Sequence, residues 1–315
     1  MRVEKRYLGN SGLEVSVLGF GAMTFGEGVA ANAVTGHMAT ADAARLFDVC
    51  VDAGVTLFDT ADVYAAGSSE EILGQVARAK RHRVLIATKA FGRMGRSDHD
   101  MGLSRRHLID ACDASLRRLG TDWIDLYQVH NFDSRTPVEE TLRTLDDLVR
   151  SGKVRYIGCS NFAAWQLMKA LGASDRQGLE RYVGQQIQYS LMVRDAELEM
   201  LPAGVDQGVG ALIWSPLAQG FLSGKFRRND VQGETRLGSG GTLWPTSWAV
   251  EDQGLKRTSR RKVRNNPSQH KLALQIGVRA FFWLKSVSNL MKQGGRGKRV
   301  IKVTLAEICA FQRQY

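Results

Sequence analysis

Seven short apolar runs recur along the chain at a regular spacing, and stretches with helical periodicity separate them. The runs end at residues 21, 59, 89, 130, 160, 188 and 214, so successive ends are 26 to 41 residues apart. That spacing is the length of a strand followed by a helix, and such alternation is typical of a parallel sheet. The predicted strands are Val17–Gly21, Thr56–Asp59, Val84–Lys89, Ile124–His130, Tyr156–Ser160, Tyr182–Gln188 and Gly210–Trp214.

Seven strand–helix units, with an eighth expected near residues 250–290, predict a (β/α)8 barrel within the α/β class. The alternative is an open, doubly wound sheet, whose usual sign is a Gly-x-Gly-x-x-Gly turn after the first strand. The segment Gly19-Phe20-Gly21-Ala22-Met23-Thr24 has the wrong spacing for that turn. Ahead of the first barrel strand, residues 6–8 and 14–17 flank Asn10-Ser11-Gly12 and predict a hairpin that closes the bottom of the barrel.

Helix boundaries are marked by capping residues. Ser104 is predicted to cap the helix that ends before Gly120, Thr136 to cap the helix that begins at Pro137, and Ser68 to form a capping box with Glu71.

Three predicted strands end in ionisable residues of different kinds. Asp59, Lys89 and His130 each close a strand, and Tyr64 follows Asp59 by five residues. The carboxyl ends of parallel strands meet at one rim of a barrel, so we expect these four side chains to lie together. A carboxylate, a phenol, an ammonium and an imidazole at one rim are suited to proton transfer.

The phenol is the natural proton donor of this set. Its ordinary pKa is about 10, and an ammonium about 4 Å away at an effective dielectric near 20 contributes roughly 4 kcal/mol, or about 3 pKa units. Lys89 would therefore bring the pKa of Tyr64 towards neutrality. A buried lysine needs a counter-ion, which Asp59 supplies, and His130 can hydrogen-bond a substrate oxygen. The set predicts protonation of a carbonyl oxygen as it gains negative charge.

Around these residues the chain resembles the aldo-keto reductase superfamily. Asp59, Tyr64, Lys89 and His130 match the family's catalytic positions in type, order and approximate spacing. The resemblance covers roughly residues 5–240. The surrounding motifs also match: Gly19-Phe20-Gly21-Ala22-Met23-Thr24-Phe25-Gly26, Phe58-Asp59-Thr60-Ala61-Asp62-Val63-Tyr64, Gly158-Cys159-Ser160-Asn161-Phe162 and Trp214-Ser215-Pro216-Leu217-Ala218-Gln219-Gly220.

The resemblance implies NADPH-dependent reduction of aldehydes or ketones, without a metal. Tyr64 would be the general acid, Lys89 would lower its pKa, Asp59 would hold Lys89, and His130 would orient the carbonyl. The implied cofactor contacts are Gly21, Met23, Thr24 and Asp59 beside the nicotinamide; Ser160, Asn161 and Gln186 on its amide; Trp214 as the stacking aromatic; Ser215, Pro216, Leu217, Gly220, Leu222 and Lys225 around the pyrophosphate; and Arg236 near the adenosine.

Several residues have plainer interpretations. Tyr127, Cys159 and Tyr189 are expected to be packing residues. His82, His99 and His107 lie in charged or helical surroundings and are expected to face solvent. Asn131 and Phe132 are weaker candidates for the wall of a substrate pocket.

Charge divides the chain into two parts. Residues 1–248 carry 28 Lys and Arg against 29 Asp and Glu, a net charge of −1. Residues 249–315 carry 15 against 3, a net charge of +12, and they lack the Gly-Ser/Ala-Arg/Lys…Gln…Asn segment that binds the adenosine 2′-phosphate in relatives. We therefore assign residues 1–248 to the barrel and 249–315 to a basic, divergent segment.

Three explanations of the basic segment are open: a frameshift in the coding sequence, a divergent tail that still closes the barrel, or an added arm for nucleic acid or an anionic membrane. No nucleic-acid-binding motif accompanies its basic runs, which disfavours the third.

The remaining composition predicts a cytoplasmic protein, and the family resemblance implies a small-molecule carbonyl substrate. The first residues lack the apolar core of a signal peptide, and no apolar run reaches the roughly 20 residues needed to cross a bilayer. The four cysteines have neither metal-ligand nor Cys-x-x-Cys spacing and are expected to be free thiols. An alternative function is a regulatory subunit or pseudo-enzyme that keeps the fold and the dinucleotide but does not turn over.

Overall fold

The computed structural model describes residues 3–27 and 38–223. Strands and α-helices follow one another there in the order β1 (Lys5–Tyr7), β2 (Glu14–Ser16), β3 (Gly19–Gly21), α1 (Thr40–Ala53), β4 (Leu57–Asp59), α2 (Ser68–Ala77), β5 (Leu85–Ala90), α3 (Arg105–Leu119), β6 (Ile124–Val129), α4 (Val138–Arg150), β7 (Val154–Ser160), α5 (Ala164–Gln177), β8 (Gly184–Gln188), α6 (Met200–Gln207) and β9 (Gly210–Trp214).

Strands β3 to β9 form one parallel sheet in which the spatial order equals the chain order. A doubly wound sheet would reverse its order at a switch point, and this sheet does not. The seven strands are therefore seven consecutive units of a (β/α)8 barrel, as the sequence predicts. Their observed ends at residues 21, 59, 90, 129, 160, 188 and 214 lie within one residue of the predicted ends. The predicted eighth unit near residues 250–290 lies outside the described residues.

The predicted hairpin is confirmed and closes one end of the barrel. Strands β1 and β2 pair antiparallel, with Arg6 opposite Val15. An apolar cluster joins this hairpin to the inward side of three barrel strands: Leu8, Leu13 and Val15 pack with Leu57, Ala87 and Leu126.

The period-two alternation of the strands builds the site on top of that apolar layer. Two residues beyond Leu57, Ala87 and Leu126, the side chains that point to the same side of the sheet are Asp59, Lys89 and Gln128. The register supports this layering, since Ala87 pairs with Leu126 and Lys89 with Gln128. An apolar floor thus lies below a polar layer at the carboxyl ends of the strands.

Helix caps follow the sequence in part. Ser104 accepts a hydrogen bond from the His107 amide as predicted, and Gly120 ends α3 in the left-handed conformation. The predicted caps at Thr136 and Ser68 are wrong. Thr136 donates its hydroxyl to Asp133 at 2.8 Å, and Pro137 and Gly67 occupy the N-cap positions of α4 and α2.

The expectation that all three of His82, His99 and His107 face solvent is wrong for His107. His82 and His99 are exposed, but His107 lies in the first turn of α3 and is buried. That burial lowers the pKa of His107. Tyr127, Cys159 and Tyr189 are buried, as packing residues are expected to be.

Candidate active site

The four predicted polar residues meet at one rim of the barrel. The Lys89 ammonium lies 2.7 Å from the Asp59 carboxylate and 5.1 Å from the centre of the Tyr64 ring. The rings of Tyr64 and His130 meet edge to face with their centres 5.8 Å apart. The structure therefore brings Asp59, Tyr64, Lys89 and His130 into one cluster.

The Asp59 carboxylate organises the inner part of this cluster. Its Oδ2 accepts a hydrogen bond from Lys89. Its Oδ1 accepts from the side-chain amides of Gln186, at 2.9 Å, and Gln128, at 3.1 Å. Hydrogen bonds to a charged group are stronger than those between neutral groups, and these three hold the carboxylate in one orientation.

Gln128 is a site residue that the sequence analysis did not identify. It is fully buried, and its Oε1 has no hydrogen-bond partner among the described residues. The available sign was a glutamine two residues before His130 in a mostly apolar strand, where period-two alternation turns both side chains to the same side.

Lys89 is held in the charged form although it is inaccessible to solvent. Its side chain is 0% exposed, and the ammonium donates to Asp59 and to the carbonyl of Thr60, each at 2.7 Å. Burial by itself would lower the pKa of Lys89, but the charge of Asp59 and the neighbouring Tyr64 outweigh burial and raise that pKa. A fixed positive charge thus lies beside the phenol.

At His130, unlike at Lys89, the surroundings disfavour the charged form of the side chain. Burial, assisted by the positive charge of Lys89, lowers the pKa of His130 to about 3. The imidazole is therefore neutral at physiological pH and offers one N–H donor without a charge. Its main chain is fixed by the bond from its amide to the Ala90 carbonyl at 3.0 Å.

A strained turn follows Tyr64. Ala65 and Ala66 have φ angles of 47° and 52°, and Gly67 has a φ of 98°. Left-handed backbone costs a residue with a Cβ roughly 1–2 kcal/mol. At Gly67 an added Cβ would lie 2.7 Å from Arg118 Cδ, so glycine is also required there for space.

Relief of this strain is expected to stabilise the protein. Ala66 is exposed, so Ala66→Gly removes the Cβ without opening a cavity. We expect a gain of about 0.5–1 kcal/mol in the free energy of unfolding, measured by urea denaturation. The matched change Ala114→Gly, inside α3, is expected to lower the same free energy by about 1 kcal/mol. A loss of stability in Ala66→Gly would show that the turn is not strained.

A second buried polar cluster lies behind the turn. Glu70 accepts hydrogen bonds from Thr88 and Arg118, each at 2.6 Å. Asp62 is buried, its Oδ1 accepts from the Val63 amide at 2.7 Å, and its Oδ2 has no hydrogen-bond partner among the described residues. Burial, with the negative charge of Glu70, raises the pKa of Asp62 from 3.8 to about 7, although Arg118 and Lys89 oppose the shift.

Asp62 is therefore expected to make stability depend on pH. Because the pKa of Asp62 is raised in the folded state, its protonated carboxyl contributes to the free energy of unfolding. That contribution is complete below pH 3.8 and is lost as the pH rises through about 7. Asp62→Asn cannot ionise, so its unfolding free energy relative to wild type should increase by about 2–3 kcal/mol between pH 5 and pH 8. Urea denaturation at both pH values measures this change. Asp98→Asn, at an exposed carboxylate, is the matched control, and a pH-independent difference for Asp62→Asn would contradict the assignment.

The residues implied to hold a nicotinamide amide also lie at this rim. The Ser160 hydroxyl donates to the Gln186 carbonyl at 3.1 Å. The Asn161 amide nitrogen donates to the His130 carbonyl at 3.0 Å, and the Trp214 indole N–H donates to Asn161 Oδ1 at 3.1 Å. These side chains connect the ends of β6, β7, β8 and β9.

The turn after β9 contains most of the residues implied for the pyrophosphate. Ser215 has a φ of 55°, and a 3-10 helix covers Ala218–Ser223. The amides of Gly220 and Leu222 donate to the Leu217 carbonyl at 3.0 and 3.1 Å. Pro216 lies in the same turn. The predicted contacts Lys225 and Arg236 lie outside the described residues.

The opposite side of the rim leaves room for a ligand. Gly21 pairs with Asp59 in the sheet register, and a Cβ at Gly21 would meet no heavy atom of the described residues within 4 Å. Met23 and Thr24 follow in a 3-10 helix and are partly exposed. The space at Gly21 and the exposed amide of Asn161 fit a planar, amide-bearing group such as nicotinamide.

Metal sites and membrane-spanning helices are two further features that residues 3–27 and 38–223 could contain. No three His, Cys, Asp or Glu side chains of these residues form a group able to hold a metal ion. In the same part of the chain, no helix has the length and apolar character needed to cross a membrane.

Comparison with known proteins identifies the family. The model of the aldo/keto reductase family matches residues 17–261. The chain belongs to the aldo/keto reductase family. An oxidoreductase of Bacillus subtilis named YrpG, described as uncharacterized, is 41% identical over 244 residues, which cover 73% of this chain and 71% of the relative. A versiconal hemiacetal acetate reductase of Aspergillus parasiticus is 37% identical over 241 residues, covering 70% and 69%.

A relative that is named as a channel subunit, and not as a reductase or oxidoreductase, aligns over more of the chain. A probable voltage-gated potassium channel subunit beta of Arabidopsis thaliana is 34% identical over 293 residues, which cover 91% of this chain and 85% of the relative. An alignment that covers 91% of this chain is longer than residues 1–248, so part of it lies in the basic segment. Together the family model and the oxidoreductase relatives identify this aldo/keto reductase as an oxidoreductase.

Proposed function

We propose that this aldo/keto reductase reduces the carbonyl group of small aldehydes or ketones to alcohols, with NADPH as the reductant and Tyr64 as the general acid. The observation that carries the proposal is the fully buried Lys89 ammonium, which Asp59 holds at 2.7 Å and which lies beside the Tyr64 ring. A fixed cation at that place stabilises the phenolate that forms when the phenol gives up its proton.

Each polar residue then has a defined task. Neutral His130 donates a hydrogen bond to the carbonyl oxygen and fixes its direction without adding charge. Tyr64 transfers its proton to that oxygen as negative charge develops on it. Lys89 stabilises the tyrosinate that results, and Asp59, with Gln128 and Gln186 on its other oxygen, keeps Lys89 in place. General acid catalysis of this type contributes roughly 10²–10⁴-fold to a rate.

The reduced nicotinamide, when bound, supplies the hydride for the carbonyl carbon. We propose that Ser160, Asn161 and Gln186 hold its amide, that Trp214 stacks on its ring, and that Gly21, Met23 and Thr24 lie beside it. Ser215, Pro216, Leu217, Gly220 and Leu222, with Lys225 and Arg236 outside the described residues, would bind the phosphates and the adenosine. The preference for NADPH over NADH is part of this proposal.

The cellular setting proposed is the cytoplasm, with a small molecule as the substrate and no nucleic-acid partner. Cys50, Cys112 and Cys159 are free thiols, which fits a reducing compartment. The division into a barrel of residues 1–248 and a basic segment of residues 249–315 is likewise proposed.

A second candidate function is a cofactor-binding regulatory subunit without turnover. It is favoured by relatives in Arabidopsis thaliana and Oryza sativa that are named as probable potassium channel subunits beta. The complete set of Asp59, Tyr64, Lys89 and His130 at the rim favours catalysis instead, because binding a dinucleotide requires neither a proton donor nor a buried cation beside it.

Two measurements on the full chain distinguish these functions. Quenching of tryptophan fluorescence reports binding of NADPH, with NADH as the comparison, and loss of NADPH absorbance with a panel of aldehydes reports turnover. The proposal predicts NADPH-selective binding together with aldehyde-dependent oxidation. Binding without oxidation would favour the regulatory subunit, and absence of both would contradict the proposed function.

A further inference from the structure

Two side-chain hydrogen bonds, from Trp214 to Asn161 and from Asn161 to His130, form a brace across the carboxyl end of β8. Trp214 is the last residue of β9, and its indole N–H reaches Asn161 Oδ1, at the end of β7, over 3.1 Å. The Asn161 amide nitrogen continues the brace to the His130 carbonyl, at the end of β6, over 3.0 Å. Because β8 lies between β7 and β9, the bond from Trp214 to Asn161 joins two strand ends that the sheet itself does not pair.

The main chain of Asn161 is fixed independently of its side chain. Its backbone amide donates to the Gln186 carbonyl of β8 at 3.0 Å, and its φ of 57° is one that asparagine tolerates better than most residues. Since the backbone is held, Asn161 can change its orientation only by rotation about its side-chain bonds.

Trp214 and His130 together remove that freedom. An amide side chain has two N–H donors and an oxygen that accepts twice. The Trp214 indole can only donate and the His130 carbonyl can only accept, so the oxygen of Asn161 must face β9 and its nitrogen must face β6. Among the described residues, one N–H donor and one acceptor lone pair of the exposed amide are left over, with the acceptor atom towards β9 and the donor atom towards β6. That pair is complementary to another primary amide.

We propose that Trp214 is a positioning residue whose indole N–H orients the Asn161 amide for recognition of a ligand's primary carboxamide. This role rests on the proposed function, because the nicotinamide ring carries such a group. It differs from stacking, which needs only an aromatic face and would survive replacement of the indole by a phenyl ring.

The test pairs one change in the protein with one change in the ligand. Calorimetry measures the dissociation constants of NADP⁺ and of its 3-acetylpyridine analogue, in which a methyl ketone replaces the carboxamide and both N–H donors of its NH2 group are lost. We expect wild type to prefer NADP⁺ by about tenfold, the effect of one well-oriented hydrogen bond. Trp214→Phe keeps a stacking face but leaves only the His130 carbonyl to orient the amide, so its preference should fall to about threefold or less.

Two further variants make the comparison specific. Trp165→Phe removes an indole that is 59% exposed on α5 and should keep the tenfold preference. Asn161→Ala removes the amide itself, and Trp214→Phe added to Asn161→Ala should have no further effect on the preference.

The results separate the two proposals. A full tenfold preference in Trp214→Phe would overturn the positioning role while leaving the proposed function intact. Equal binding of both ligands by wild type would overturn carboxamide recognition by Asn161. Failure of wild type to bind either ligand would contradict the proposed function, and the positioning role with it.

Discussion

Replacement of Tyr64 by Phe is expected to lower kcat/KM for carbonyl reduction by about 10²–10⁴-fold, the usual contribution of a general acid. The ring remains in its edge contact with His130, and only the phenolic hydroxyl is lost. Dinucleotide binding should be almost unchanged, because the hydroxyl acts on the carbonyl. Steady-state oxidation of NADPH and an independent binding titration measure the two effects separately.

The matched control for this prediction is Tyr7→Phe. Tyr7 is exposed on β1, in the hairpin at the opposite end of the barrel from the rim, so loss of its hydroxyl should not change turnover. If Tyr64→Phe retained the turnover of wild type, another group would have to donate the proton, and the assignment of Tyr64 would be wrong.

Replacement of Lys89 by Met is expected to remove activity and also to destabilise the fold. The change leaves the Asp59 carboxylate, only 19% exposed, without its cation, and breaking a buried ion pair in this way costs about 3–5 kcal/mol. The amides of Gln128 and Gln186 still donate to Asp59, which places the expected cost at about 3 kcal/mol. Urea denaturation measures it.

A double variant distinguishes an uncompensated charge from a simple packing defect. Asp59→Asn combined with Lys89→Met removes both charges and should recover about half of the lost stability. Lys153→Met, which breaks the more exposed pair with Asp113, should cost less than about 1 kcal/mol. If the double variant were as unstable as the sum of the single variants, Asp59 and Lys89 would not be energetically coupled.

The architecture and the four polar rim residues could be predicted because they depend on regular patterns. The strand–helix repeat predicts the order of the strands in the sheet. Period-two alternation predicts that Asp59 and Lys89, two residues beyond Leu57 and Ala87, lie on the same side of their strands as those residues. Parallel strands bring their carboxyl ends together, so residues distant in the chain could be expected to meet.

Features that depend on contacts between non-adjacent elements could not be predicted in this way. Gln128 belongs to the site because Asp59 lies across the rim from it, and its own strand gives only a weak sign. The bond from Trp214 to Asn161 passes over a strand that separates them. The left-handed Ala65 and Ala66 contradict local preference, since the surrounding packing overrides it.

Transfer of deuterium tests the central claim most directly. The full chain is incubated with NADPH carrying deuterium at C4 of the nicotinamide and with an aldehyde that it reduces, and the alcohol is examined by mass spectrometry. The account predicts that deuterium appears on the former carbonyl carbon, and that Tyr64→Phe forms this product at least about a hundredfold more slowly. Tight binding of NADPH with no deuterated alcohol from any aldehyde tested would contradict it and would leave the rim residues as parts of a binding site alone.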